Sequence, residues 1–237
     1  MAVAYGRDPS RYLPDYDTQV PRQHHFSPYA NNGGSVVALS GDDFSLIAAD
    51  TRLSTGFSIY TRDQEKLFTL SPNTVLGCTG CWCDILTLTR VVAARTQMYQ
   101  HEHHKDMSTP AVAQMLSTML YHKRFFPYYI GNVLAGLDSD GKGVIYRYDP
   151  VGHMEENKFF ATGSSGALLQ PLLDNQIGYQ NQENVIEVKL TKEKAVAIAK
   201  DVFISAAERD IYTGDAITIK IITQDGIETE KFELRRD

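Results

Sequence analysis

The sequence predicts an α+β fold in four layers, helices, sheet, sheet and helices, with two antiparallel sheets lying face to face. Three observations lead there. Short apolar runs come in groups joined by tight turns, which is the pattern of antiparallel hairpins. Long helical periods come in pairs, twice, between those groups. Strands and helices also do not alternate singly, as the βαβ units of a parallel sheet would. Each pair of helices then covers the outer side of one sheet.

The first strands are expected over 35–40, 43–49, a stretch near 66–70, and 74–78, with Gly41-Asp42-Asp43 turning the first hairpin. A helix follows from Asp84, a residue type that caps helices, with Ile85, Leu88, Val92 and Tyr99 along one face. A second helix starts at Thr109, a cap residue followed by Pro110 at the first helical position, and carries Val112, Met115, Leu116 and Met119 on one side. It ends before Pro127. Strands return over 129–137 and 143–149, joined by Asp138-Ser-Asp-Gly-Lys142. A short apolar piece, 158–161, leads through Gly163-Ser164-Ser165-Gly166 into a helix running toward Asp174. Thr191 caps the last helix, which carries Ala195, Ile198, Val202, Phe203 and Ala206. Strands over 216–222 and 227–234 close the chain around Asp225-Gly226.

The 237 residues divide into a leader, 1–32, and one domain, 33–237. The leader holds Pro14, Pro21 and Pro28 and no period, so flexibility is expected. It lacks the apolar core of a signal peptide, and Asp8, Asp15 and Asp17 among its arginines are unlike a mitochondrial transit peptide. Cytoplasm and nucleus are the expected compartments. A net charge of −6 without a basic block argues against nucleic acid as the main partner. No apolar run approaches the ~18 residues that span a bilayer, so no membrane partner is expected.

The residues that carry chemistry begin at Asn32-Gly33-Gly34-Ser35, which opens the first hairpin; that hairpin ends in Asp50-Thr51-Arg52, and Lys66 follows. In an N-terminal Thr hydrolase, the hydroxyl of the first residue attacks the scissile carbonyl and its own α-amine takes the proton. That amine titrates near ~7.7–8 and is already a suitable base at neutral pH. A neighbouring Lys tunes it, and an Asp holds the Lys.

Asp50-Thr51-Arg52, Lys66, Gly163-Ser164 and Arg209-Asp210-Ile-Tyr-Thr213-Gly214-Asp215, in this order, resemble the motifs of proteasome beta subunits, over about residues 33–235. The resemblance implies the N-terminal-nucleophile hydrolase fold. It also implies that the catalytic Thr belongs sixteen residues before Asp50 and thirty-two before Lys66, where this chain has Gly34. Two further departures are Thr213 for Ser and Asp215 for Gly. The segments Phe125-Phe-Pro-Tyr-Tyr129, Asp149-Pro-Val-Gly152 and 202–210 are most similar to a non-catalytic member, sixth in the ring of seven beta subunits.

By that resemblance the chain has no catalytic residue and no cofactor. Gly34, Ser35, Asp50, Arg52, Lys66, Ser164, Asp210 and Thr213 then mark a relict site, with Asp50 and Lys66 as a structural ion pair. The implied partners are the other alpha and beta subunits of a stacked four-ring particle, with unfolded polypeptides met indirectly. Asp149 is the candidate contribution to a neighbour's substrate pocket. Active neighbours would trim the leader near His25, in front of Phe26. Ser35 is the alternative nucleophile, exposed by cleavage after Gly34, but a one-residue slip turns its side chain to the opposite face of the strand. Cys78, Cys81 and Cys83 offer a metal or redox reading that lacks a fourth ligand nearby, so packing is expected. His101, His103 and His104 are expected in a solvated loop.

Overall fold

The computed structural model describes residues 27–179, 181–183 and 188–236. Residues 1–26 of the expected leader, its trimming site included, lie outside the described residues. Among the described residues, twelve strands and four α-helices follow in the order β1 (Ser35–Ser40), β2 (Ser45–Asp50), β3 (Leu53–Thr55), β4 (Ser58–Thr61), β5 (Leu67–Ser71), β6 (Thr74–Gly80), α1 (Trp82–His103), α2 (Thr109–His122), β7 (Ile130–Leu137), β8 (Gly143–Tyr148), β9 (Met154–Asn157), β10 (Phe159–Gly163), α3 (Gly166–Leu173), α4 (Lys192–Ala207), β11 (Ala216–Thr223) and β12 (Gly226–Glu233). A short π-helical segment, Asp174–Gly178, continues α3.

One five-stranded sheet runs β10-β1-β2-β11-β12 and the other β5-β6-β7-β8-β9, with every pairing antiparallel. Three hydrophobic clusters show the layering. Val36, Ala38, Ile47 and Ala49 meet Val75, Val133 and Ile145 between the sheets. Val37, Leu39, Leu46 and Ala48 turn outward onto Leu169, Val202 and Phe203 of α3 and α4. Leu76 and Leu134 turn outward onto Leu88, Val92, Val112 and Leu116 of α1 and α2. β1 and β2 are thus covered on both faces, which is why Val-Val-Ala-Leu and Leu-Ile-Ala-Ala read as continuous apolar runs. The expected α+β sandwich of antiparallel sheets between helical layers is the observed one.

Local boundaries differ from the sequence expectation for identifiable reasons. The N-cap of α1 is Cys81, three residues before the expected one, and Asp84, inside the first turn, accepts the Tyr129 amide at 2.9 Å. Ser108, not Thr109, occupies the N-cap of α2; Thr109 is buried in the first turn and hydrogen-bonds Thr74 Oγ1 at 2.8 Å. Three strands were not expected. β3 and β4 form a separate two-stranded hairpin too short to show a period, and β9 is a polar edge strand, Met-Glu-Glu-Asn. Contacts of the domain also begin before residue 33: Tyr29 is half-buried and Asn32 is buried.

Candidate functional site

The candidate site lies where the chain enters β1. Gly33 and Gly34 both have positive φ, +68° and +82°, the left-handed region that glycine tolerates without a Cβ penalty. These two residues turn the incoming chain into the strand. A Cβ built on Gly34 would collide with Lys66 Nζ and lie 2.8 Å from Lys66 Cε and 2.9 Å from Asp50 Oδ1. Positions 34, 50 and 66 therefore converge, and the Lys66 ammonium occupies the space a side chain at 34 would need.

Lys66 Nζ donates to Asp50 Oδ1 at 2.7 Å and to the Arg52 carbonyl at 2.6 Å. Asp50 also accepts the Ser35 amide at 2.8 Å, the Arg52 amide at 3.2 Å and the Gly214 amide at 3.4 Å. Both side chains are essentially fully buried. Burial is the largest influence on the Asp50 carboxyl and pushes it upward, while the charge and hydrogen bond of Lys66 and the amides of Ser35 and Gly214 pull the other way. Asp50 is thus a hub that ties together the start of β1, the end of β2, the Lys66 segment and the loop before β11.

Ser35 faces the other side of β1, toward α3. Its hydroxyl lies 2.6 Å from Ser165 Oγ and 3.0 Å from Thr213 Oγ1, and it accepts the Ser165 amide at 3.0 Å. Next to it, Ser164 Oγ and Thr213 Oγ1 both donate to Asp210 Oδ2, at 2.6 and 2.7 Å. The Ser35 hydroxyl is thus engaged in this cluster, while the Lys66 ammonium is engaged by Asp50 Oδ1 and the Arg52 carbonyl.

Asp215 stands at φ +69°, the backbone region where a Gly is unstrained. Its carboxylate takes Arg52 Nε at 2.7 Å on one oxygen and an Arg62 guanidinium nitrogen at 2.5 Å on the other. Arg52 and Arg62 flank the β3–β4 hairpin, so one buried carboxylate pins both of its legs. Thr51 reinforces the root by donating its hydroxyl to the Arg62 carbonyl at 2.8 Å. Burial alone would raise the Asp215 carboxyl, but the hydrogen bonds and charges of Arg52 and Arg62 outweigh it and hold it below the usual carboxylate range. A carboxylate depressed by folding stabilises fully above the unfolded value near ~4 and loses that contribution as pH falls through the folded value. The protection factors of residues 53–61 against hydrogen exchange should therefore be flat across neutral pH and fall only below about pH 4. In Asp215→Asn the hairpin should exchange faster at pH 7, with the acid step reduced.

The remaining sequence candidates lie apart from this centre. Asp149 Oδ1 accepts the amides of Val151 at 3.0 Å and His153 at 2.7 Å, closing its own turn after β8. Pro150 and Tyr148, beside it, line a cleft of about 310 Å³ that reaches Gly34 and Ser164. Cys78 is buried with its thiol pushed well up by desolvation, and donates to Asn132 Oδ1 at 3.3 Å. Cys81 is buried and Cys83 exposed. His101 and His103 lie in the last turn of α1 and not in the expected loop, with the His103 ring tilted against Tyr99 at 4.3 Å. Among the described residues no group of His, Cys, Asp and Glu is placed to hold a metal, and no helix is long and apolar enough to cross a membrane.

Three participants were not among the sequence candidates. Ser165 and Asp215 needed the tertiary arrangement, although an Asp at a Gly position was a visible signal for the second. Asn32, buried beside Gly33, links the chain entering the site to β3 and to the start of α1 through its backbone and its amide.

A family model described as "Proteasome subunit" matches residues 30–222. The chain is 59% identical over 229 residues to "Proteasome subunit beta type-1" of Drosophila melanogaster, an alignment covering 95% of this chain and 97% of that protein. It is 48% identical to the protein of the same name from Arabidopsis thaliana, over 91% of this chain and 99% of that one. It is 40% identical to the "Probable proteasome subunit beta type-6" of Schizosaccharomyces pombe, again over 91% and 99%. Two antiparallel sheets between helical layers, with Asp50 and Lys66 meeting at the head of β1, accompany these matches, and the chain belongs to the proteasome subunit family.

Proposed function

We propose that this chain is a non-catalytic beta subunit of the proteasome core particle, a member of a threonine-type peptidase complex that carries no nucleophile of its own. The observation that supports this most directly is Gly34: it has no hydroxyl, and Lys66 Nζ fills the volume beside it. Its nitrogen is also an amide within the chain, with none of the basicity of a free α-amine. Asp50 and Lys66 then act as a structural pair, and Ser164, Asp210 and Thr213 as a hydrogen-bonded brace.

The chain's contribution lies in its surfaces. It takes one place in a seven-membered beta ring, stacked on a second beta ring and an alpha ring, in cytoplasm and nucleus, and so supports ATP- and ubiquitin-dependent degradation of unfolded polypeptides. Asp149 is the group proposed to reach a neighbour's pocket. Because Oδ1 holds the turn, Asp149→Asn keeps that acceptor and removes only the charge. The variant should assemble normally and shift the peptide preference of one active neighbour; unchanged specificity at every active site removes Asp149 from this role.

Intact mass with N-terminal sequencing of the chain, from natively purified particles, tests the whole reading. A start near residues 24–26 within a very large complex supports trimming by neighbours. A start at Ser35 makes the chain a serine hydrolase instead, the reading that the outward-facing Ser35 hydroxyl disfavours.

A further inference from the structure

We infer that Tyr29 and Asn32 anchor the chain ahead of β1 in its own cleft and thereby set how far the leader is trimmed. The inference rests on the proposed reading that active neighbours trim this chain in trans. Tyr29 donates its hydroxyl to the Pro127 carbonyl at 2.7 Å, and its ring lies 5.8 Å from Phe126 and 5.4 Å from Tyr129. Three residues later Asn32 bridges both walls of the approach to Gly34. Its amide donates to the Gly80 carbonyl at 3.0 Å, and its carbonyl accepts the Ser54 amide at 3.2 Å. Its side-chain nitrogen reaches the Ser54 carbonyl and Thr55 Oγ1, at 3.3 and 2.9 Å, while Oδ1 accepts the Trp82 amide at 2.9 Å.

The anchor therefore spans β3 on one side and the β6–α1 junction on the other. It uses every polar group that Asn32 has. Gly33 follows, packed on Tyr212 so closely that a Cβ would lie 2.6 Å from Tyr212 Cβ. A segment held in this way cannot be drawn out as the extended chain that a peptidase cleft requires on both sides of the scissile bond. Trimming adds water across one peptide bond, leaving a carboxylate on the released piece and an amine on the retained chain. The last bond available to it lies a few residues ahead of Tyr29, where the retained side of the bond can still extend, in keeping with a cut near His25.

The test uses whole particles carrying two kinds of variant, with the mature start of this chain read by intact mass. A short Gly-Ser insertion between Ser27 and Pro28 leaves both anchors and the domain untouched. If the anchor sets the limit, the cut moves into the insertion and keeps its distance from Tyr29. In Y29A/N32A the start should advance past Tyr29, into residues 30–34. Cleavage of the insertion variant at the unshifted His25 region, or an unshifted start in an incorporated Y29A/N32A chain, overturns the inference while the trimming reading stands. A native start at Met1 overturns both.

Discussion

Replacing Lys66 by Met, or Asp50 by Ala, should cost about 3–5 kcal/mol of local stability, because each leaves the other charge buried without its counter-charge. The loss should be read as faster hydrogen exchange in β1, β2 and β5 and as reduced incorporation of the chain into the particle. Asp50→Ala is expected to be the worse of the two. It strips acceptors from Lys66 and from the amides of Ser35, Arg52 and Gly214 together. The double variant Asp50→Leu/Lys66→Met should recover a large part of the loss, since a buried ion pair is often replaced by apolar groups at little cost. Burial pushes the Asp50 carboxyl upward against the pull of Lys66 and the amides, and an apolar pair would carry no such desolvation cost. Additive single and double effects would show that the two groups are not coupled, and the structural-pair reading would fail.

Gly34→Thr is expected to restore neither processing at the peptide bond that follows Gly33 nor peptidase activity. A Cβ at this position meets Lys66 Nζ, and φ of +82° is a region that a β-branched residue adopts only as an outlier. Holding a residue there costs on the order of 1–3 kcal/mol before any displacement of Lys66 is counted. The variant chain should keep the wild-type N-terminus by mass and incorporate less well. A new N-terminus at residue 34 with threonine-type cleavage of a model peptide would mean that Lys66 moves aside readily, and that only the hydroxyl separates this site from an active one.

The layers were legible in the sequence because each strand of the hairpins declares its faces. Val36 and Ala38 between the sheets, with Val37 and Leu39 under the helices, require cover on both sides. Asp50 and Lys66 were legible as a spacing, and the structure brings them to 2.7 Å. What could not be read depends on contacts far apart in the chain. Asp215 meets Arg52 and Arg62 across 163 and 153 residues. Ser165 reaches Ser35 across 130 residues. The β3–β4 hairpin escaped for a different reason: with three and four residues, buried in the first strand and mostly exposed in the second, it is too short to show a period. Asp84 was read as a cap from its residue type, whereas the helix start follows the backbone, which leaves β6 through Gly80 at φ +110°.

The clamp at Asp215 has a mechanical side. The β3–β4 hairpin projects with Phe57 fully exposed near its tip, and both of its legs end at the same carboxylate. Loaded at the tip, such an arm behaves as a cantilever whose stiffness resides in its mounting. The Arg52 leg is buried and only weakly screened by salt, whereas the Arg62 side chain is about half exposed and feels added salt. Added salt is therefore expected to loosen the Arg62 leg before the Arg52 leg.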